Sequence, residues 1–146
     1  MTVGGLCSRR AVCVSRSATL AEVADLMSHE RVGAVIVTAE DGATRRVVGI
    51  VTDRDIVRTQ LDHAADLSGL SAADAMTERP LTLEAQESID GALAHLRARH
   101  VRRAPLVGPE GEPLGLVSLD DLLGHLAGAL SALAQIVARQ AAQERP

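Results

Sequence analysis

The octapeptide Gly49-Ile50-Val51-Thr52-Asp53-Arg54-Asp55-Ile56 returns 66 residues later as Gly115-Leu116-Val117-Ser118-Leu119-Asp120-Asp121-Leu122. A repeat of this length restricts the fold sharply. Each half is too short to bury both faces of a sheet alone, so the two halves must pack on one another. A second match lies upstream. Leu20, Val23, Ala24 and Met27 fall at helical spacing, and so do Ile89, Ala92, Leu93 and Leu96, 69 residues on. The three-residue difference is expected in a loop over 38–48, longer than its counterpart at 107–114.

Each half then reads the same way. A short apolar strand (11–14 or 80–83) leads to an amphipathic helix. Thr19 with Glu22 has the form of a capping box at the start of the first helix, and Ser88 is the matching cap of the second. A buried strand follows (32–37 or 101–107), then a polar turn with Gly42 or Gly111. A third strand (47–51 or 114–117) precedes a helix beginning at Thr52 or Ser118. The order β-α-β-β-α, twice, predicts an α+β fold of two repeats about a pseudo-two-fold axis. Residues 1–61 form the first repeat, 62–71 a linker, 72–126 the second repeat and 127–146 a helical extension. Short lead-ins at 3–8 and 72–77 also repeat. Running from the end of the second repeat into the extension, Leu126, Leu130, Leu133 and Val137 make an apolar stripe, read as packing or as a self-association surface.

Composition removes several classes. The chain holds no Phe, Tyr or Trp and carries a net charge of -4. It therefore lacks the stacking platform and the basic footprint that a nucleic-acid polymer requires. The richest apolar stretch, 122–137, is broken by His125, Ser131 and Gln135, and residues 1–6 lack a basic-then-apolar pattern. A cytoplasmic protein with no membrane partner is expected. Cys7 and Cys13 have no metal or redox spacing, and the five histidines offer no metal-ligand set. With no phosphate-binding loop and no nucleophile–base pair, catalysis is not expected and no cofactor is required.

The repeated octapeptide carries the chemistry. A strand ends and a helix begins within it, and a helix N-terminus attracts anions. The Thr52 or Ser118 hydroxyl can donate to a phosphate oxygen. One turn on, the Asp55 or Asp121 carboxylate can accept from ribose hydroxyls. Gly49 and Gly115 would let backbone approach closely. The same spacing also describes an ordinary capped helix start; its recurrence at equivalent places favours a site.

GIVTDRDI and GLVSLDDL resemble the signature of CBS (cystathionine-β-synthase-type) domains. Ala73-Asp74-Ala75-Met76-Thr77 and His100-Val101-Arg102-Arg103-Ala104-Pro105-Leu106-Val107 resemble that family as well. The resemblance covers residues 3–126 and implies a free-standing pair, often called a Bateman module. It implies an adenine nucleotide (AMP, ADP or ATP) as regulatory ligand in an energy-sensing role, with S-adenosylmethionine as a related adenosyl alternative. Thr52 and Ser118 would meet phosphate and Asp55 and Asp121 the ribose. Val12, Val14, Leu81 and Leu83 would wall the adenine. Arg102 or Arg103 would reach the phosphates, with Arg54 as an addition. Because Gly33 and Ala34 stand opposite those two arginines, the two pockets are expected to be unequal. The resemblance also implies a homodimer and an effector protein that reads the signal. A ligand-free dimerisation module is the competing reading.

Overall fold

The computed structural model describes residues 1–7 and 9–143. Ser8, at the end of the first lead-in, and the last three residues of the expected extension lie outside the described residues. The first repeat forms β1 (Cys13–Ser15), α1 (Leu20–Glu30), β2 (Ala34–Asp41), β3 (Thr44–Thr52) and α2 (Asp53–His63). A 3-10 turn (Leu67–Gly69), α3 (Ala72–Ala75) and β4 (Thr77–Glu78) follow. The second repeat forms β5 (Leu83–Glu84), α4 (Ile89–Ala98), β6 (Arg103–Val107), β7 (Pro113–Ser118) and α5 (Leu119–Gln143). Each half thus has the β-α-β-β-α order, and the α+β class holds. One sheet runs β1-β2-β3-β4 and the other β5-β6-β7, each with its first pair parallel and the rest antiparallel.

Helix α1 starts where its capping box dictates. Glu22 N–H donates to Thr19 Oγ1 (3.1 Å), and Thr19 N–H donates to the Glu22 carboxylate (2.9 Å). Its stripe Leu20, Val23 and Met27 is buried against Val35, Val37 and Val51; burying each such side chain contributes about 1.5–3 kcal/mol. In α4 Ser88 Oγ accepts from Gly91 N–H (3.1 Å), but glycine at that position leaves no second half to the box.

Three expectations need correction. Residues 38–48 are not a loop. β2 and β3 continue as a hairpin, Thr38 pairing with Val47 and Asp41 with Thr44; the bulge at Val37/Thr38 recurs at Leu106/Val107, so the extra length is taken up by the added rungs from Ala39 to Asp41 and the tip at Gly42. The polar run Glu40, Arg45, Arg46 disguised a solvated strand pair. The hairpin has a tertiary role: Thr44 Oγ1 donates to Glu110 of the other repeat (3.2 Å), and Val47 N–H to the Gly111 carbonyl (3.3 Å). The first strands are also shorter and begin later than 11–14 and 80–83. Thirdly, α5 is one unbroken helix of 25 residues with a mean hydropathy of 1.4 over an 18-residue window that is 6% buried. By length and composition it is apolar enough to cross a membrane, because Ser131 and Gln135 dilute the stripe less than expected.

The lead-ins cross between the repeats. Val3 is fully buried in the core of the second repeat with Leu83, Leu106 and Leu122. Its N–H donates to the Glu87 carbonyl (2.8 Å), and that of Gly4 to Ala85 (2.9 Å). Conversely, Leu70, Ala72, Ala75 and Met76 join the core of the first repeat. Ala72 N–H donates to the Ala18 carbonyl there, and Leu20 N–H to that of Leu70 (both 2.8 Å). Each repeat is closed by the segment that leads into the other.

Two candidate ligand clefts

The crossing builds two equivalent clefts. One is lined by Thr52 and Asp55 at the start of α2, by 77–81 from the crossed lead-in, and by 101–103 entering β6. The other is lined by Ser118 and Asp121 at the start of α5, by Leu6, Cys7, Arg9, Arg10 and Val12, and by 31–34 entering β2. Their volumes are about 550 and about 280 Å³, the first well inside the range of small-ligand pockets and the second at its lower edge.

The glycine that opens each motif has a reason the sequence reading missed. A Cβ on Gly49 would fall 2.5 Å from Met76 Sδ, and one on Gly115 would collide with Cys7 Sγ and lie 2.9 Å from the Arg9 carbonyl. The bare Cα admits the crossed lead-in, not a ligand. Glu78 pairs with Gly49 and Arg10 bridges to Gly115 at these points.

The hydroxyl and carboxylate of each motif form a reciprocal cap. Thr52 N–H donates to Asp55 Oδ2 (2.9 Å) and Asp55 N–H to Thr52 Oγ1 (3.2 Å). Ser118 N–H and Oγ both donate to Asp121 Oδ2 (2.8 and 2.7 Å), and Asp121 N–H returns to Ser118 Oγ (3.3 Å). Asp55 is buried, and its other oxygen accepts from Arg58 (3.0 Å). Asp121 is exposed. The helices are anchored by their first amides, Asp53 N–H to the Gly33 carbonyl (3.1 Å) and Leu119 N–H to that of Arg102 (2.7 Å).

Of the expected apolar walls, Val12 and Leu81 line the clefts at equivalent places. The structure does not bring Val14 or Leu83 there: Val14 packs on the first core, and Leu83 is fully buried in the second. Arg54 and Arg102 line the larger cleft, and Arg103 lines both. Sequence reasoning missed Arg9, Arg10, Arg31, Arg79 and Arg99, which also face the clefts. The larger cleft sets five arginines against Asp53, Asp55 and Glu78; the smaller sets four against Asp120 and Asp121. Both therefore carry the same formal excess of two positive charges, in a chain whose net charge is -4. The clefts differ in size rather than in charge. Arg31 ends α1 with φ 55°, and His100 takes the equivalent place with φ 51°, both in the left-handed region that favours glycine.

The sequence model of the CBS domain family matches residues 3–62 and 72–128. Among curated proteins, the chain is 42% identical over 101 residues to the uncharacterised YlbB of Bacillus subtilis, covering 69% of this chain and just under two thirds (66%) of that protein. It is 30% identical over 114 residues to hypoxic response protein 1 of Mycobacterium tuberculosis, covering 78% of this chain and 77% of that one. Among solved structures, a CBS domain protein from Pyrobaculum aerophilum complexed with AMP superposes with a TM-score of 0.74 at 28% identity, covering 88% of this chain and 99% of that one.

Proposed function

The chain belongs to the CBS domain family, and from that premise we propose that it is a non-catalytic regulatory module that takes an adenine nucleotide into its clefts. The observation that carries this reading is the doubled constellation. At two equivalent places a hydroxyl–carboxylate helix start, apolar wall residues that include Val12 or Leu81, and an excess of arginines converge on a cleft. Thr52, or Ser118 once its hydroxyl turns from Asp121, meets phosphate, and Asp55 or Asp121 accepts a further hydrogen bond from the ribose. Val12 or Leu81 faces the base, while Arg102, Arg103 and Arg54 neutralise phosphate charge. The AMP complex of the Pyrobaculum protein supports the ligand class. The positive excess favours a polyanion over S-adenosylmethionine, whose sulfonium is cationic.

The signal then passes through shape or assembly to an effector protein. Calorimetric titration with AMP, ADP, ATP and S-adenosylmethionine tests the proposal. Saturable micromolar binding of a nucleotide is expected, and silence toward all four would overturn it.

A second reading, a ligand-independent homodimer, is favoured by one observation. Leu123, Leu126, Leu130, Leu133 and Val137 are each 47–69% exposed along one heptad-spaced face of α5. Sedimentation with and without AMP separates the two readings: a nucleotide-sensitive assembly supports the sensor, an insensitive dimer the structural module.

A further inference from the structure

Resting on the reading of the clefts as nucleotide sites, we infer that both clefts draw on a single guanidinium, that of Arg103, so that phosphate bound in one weakens binding in the other. Arg103 lies directly opposite Ser118 in the β6–β7 ladder, so its backbone belongs to the smaller cleft's motif. Its side chain ends between the two clefts, beside Gly33 of the smaller and towards Asp53 of the larger. Arg103 Nη1 lies 3.5 Å from the point a Cβ on Gly33 would occupy, and Asp53 Oδ2, at the start of α2, lies 3.6 Å from the same point. The guanidinium thus stands beside the N-terminus of the other motif helix, and Arg103 lines both clefts.

The repeat shows what is missing. The residue equivalent to Arg103 is Ala34, which pairs with Thr52 as Arg103 pairs with Ser118. Perfect symmetry would supply two such arginines, one per cleft; this chain supplies one. Gly33 leaves the space into which it reaches. A first phosphate captures the fork by paired hydrogen bonds. A second phosphate then meets an occupied cation and a nearby like charge. By linkage the penalty is the same whichever cleft fills first.

The test is calorimetric titration of the full chain with AMP and with adenosine. AMP is expected to bind in two stages differing by about tenfold or more in affinity. Adenosine, lacking phosphate, is expected to show no such gap. In Arg103→Gln the AMP stages should come within about threefold of one another, whereas Arg102→Gln, which alters the larger cleft alone, should keep two stages. A gap equally large for adenosine, or unchanged in Arg103→Gln, would assign the inequality to the cleft walls and overturn the coupling while leaving the nucleotide reading intact. Two equal AMP sites in the unaltered chain would overturn it as well. Absence of heat with any adenine nucleotide would instead remove the nucleotide reading and the coupling with it. Should Arg103→Gln fail to fold, the comparison of AMP with adenosine on the unaltered chain decides.

Discussion

Met76 rests on the bare Cα of Gly49: Sδ, Cγ and Cβ of the methionine all lie within 3.1 Å of the point where a Cβ would stand. Gly49→Ala must displace the Met76 side chain, and is expected to destabilise the protein by about 1–3 kcal/mol. Gly115→Ala should cost more, because there the obstruction includes the Arg9 carbonyl, which is backbone. Chemical denaturation checks both. Adding Met76→Ala should rescue the first variant, while Cys7→Ala should rescue the second only in part.

The two motif carboxylates should separate stability from binding. Asp55 is buried and tied to Arg58, whereas Asp121 is exposed. Asp55→Ala is expected to cost about 1–3 kcal/mol of stability, and Asp121→Ala about 1 kcal/mol or less. Both should weaken AMP binding. Denaturation and titration on the same samples give the two readings.

Arg31 holds a left-handed backbone at the end of α1 while lining the smaller cleft. Arg31→Gly should therefore raise stability by about 1 kcal/mol and lower nucleotide affinity. His100→Gly relieves the equivalent backbone strain in the other half. Its ring is not among the cleft-lining residues, so stability should rise with affinity unchanged.

Cys13 is half-buried, and desolvation pushes its thiol above the ordinary range, with Arg45 opposing in part. Only the thiolate is alkylated, so iodoacetamide at neutral pH should modify Cys13 more slowly than free cysteine. The rate should keep climbing with pH beyond the ordinary thiol range. Mass spectrometry of the Cys13 peptide against pH follows it.

Leu130→Glu with Leu133→Glu charges the middle of the exposed face of α5. On the homodimer reading the pair should convert the protein to a monomer in sedimentation while the monomer stays folded by circular dichroism, since neither side chain is buried in the fold; a sedimentation profile identical to that of the unaltered chain would count against α5 as the dimer surface.

How much of this was legible depends on the range of the interaction. The helices and their caps were legible because Thr19 with Glu22, or Ser88 alone, acts within one turn. The recurrence of Gly49–Ile56 at Gly115–Leu122 announced the symmetry. The crossing of the lead-ins was hidden, because Val3 finds its partners some eighty residues away at Leu83 and beyond, and nothing local records that choice. For the same reason Gly49 was read as making room for a ligand when its neighbour is Met76. Nothing local marks Arg9, Arg10 or Arg79 as cleft residues, because only the segments that follow the crossed lead-ins bring them there; Arg99 reaches the larger cleft from the end of α4. The family resemblance implies Leu83 as a wall beside Leu81, but it names apolar residues of a strand without saying which of them sink into the core, as Leu83 does.

The unbroken run of α5 has a mechanical consequence. Ser118 and Asp121 sit at its root, and Gln143 ends it 25 residues along, about 37 Å away at 1.5 Å per residue. Only its first turns are gripped by the repeat. A tilt of about 5° at the root would sweep the far end by about 3 Å on a rod of that length, roughly the width of an atom. As a rigid rod rooted at the smaller cleft, the helix converts a small tilt there into a displacement that grows along its length.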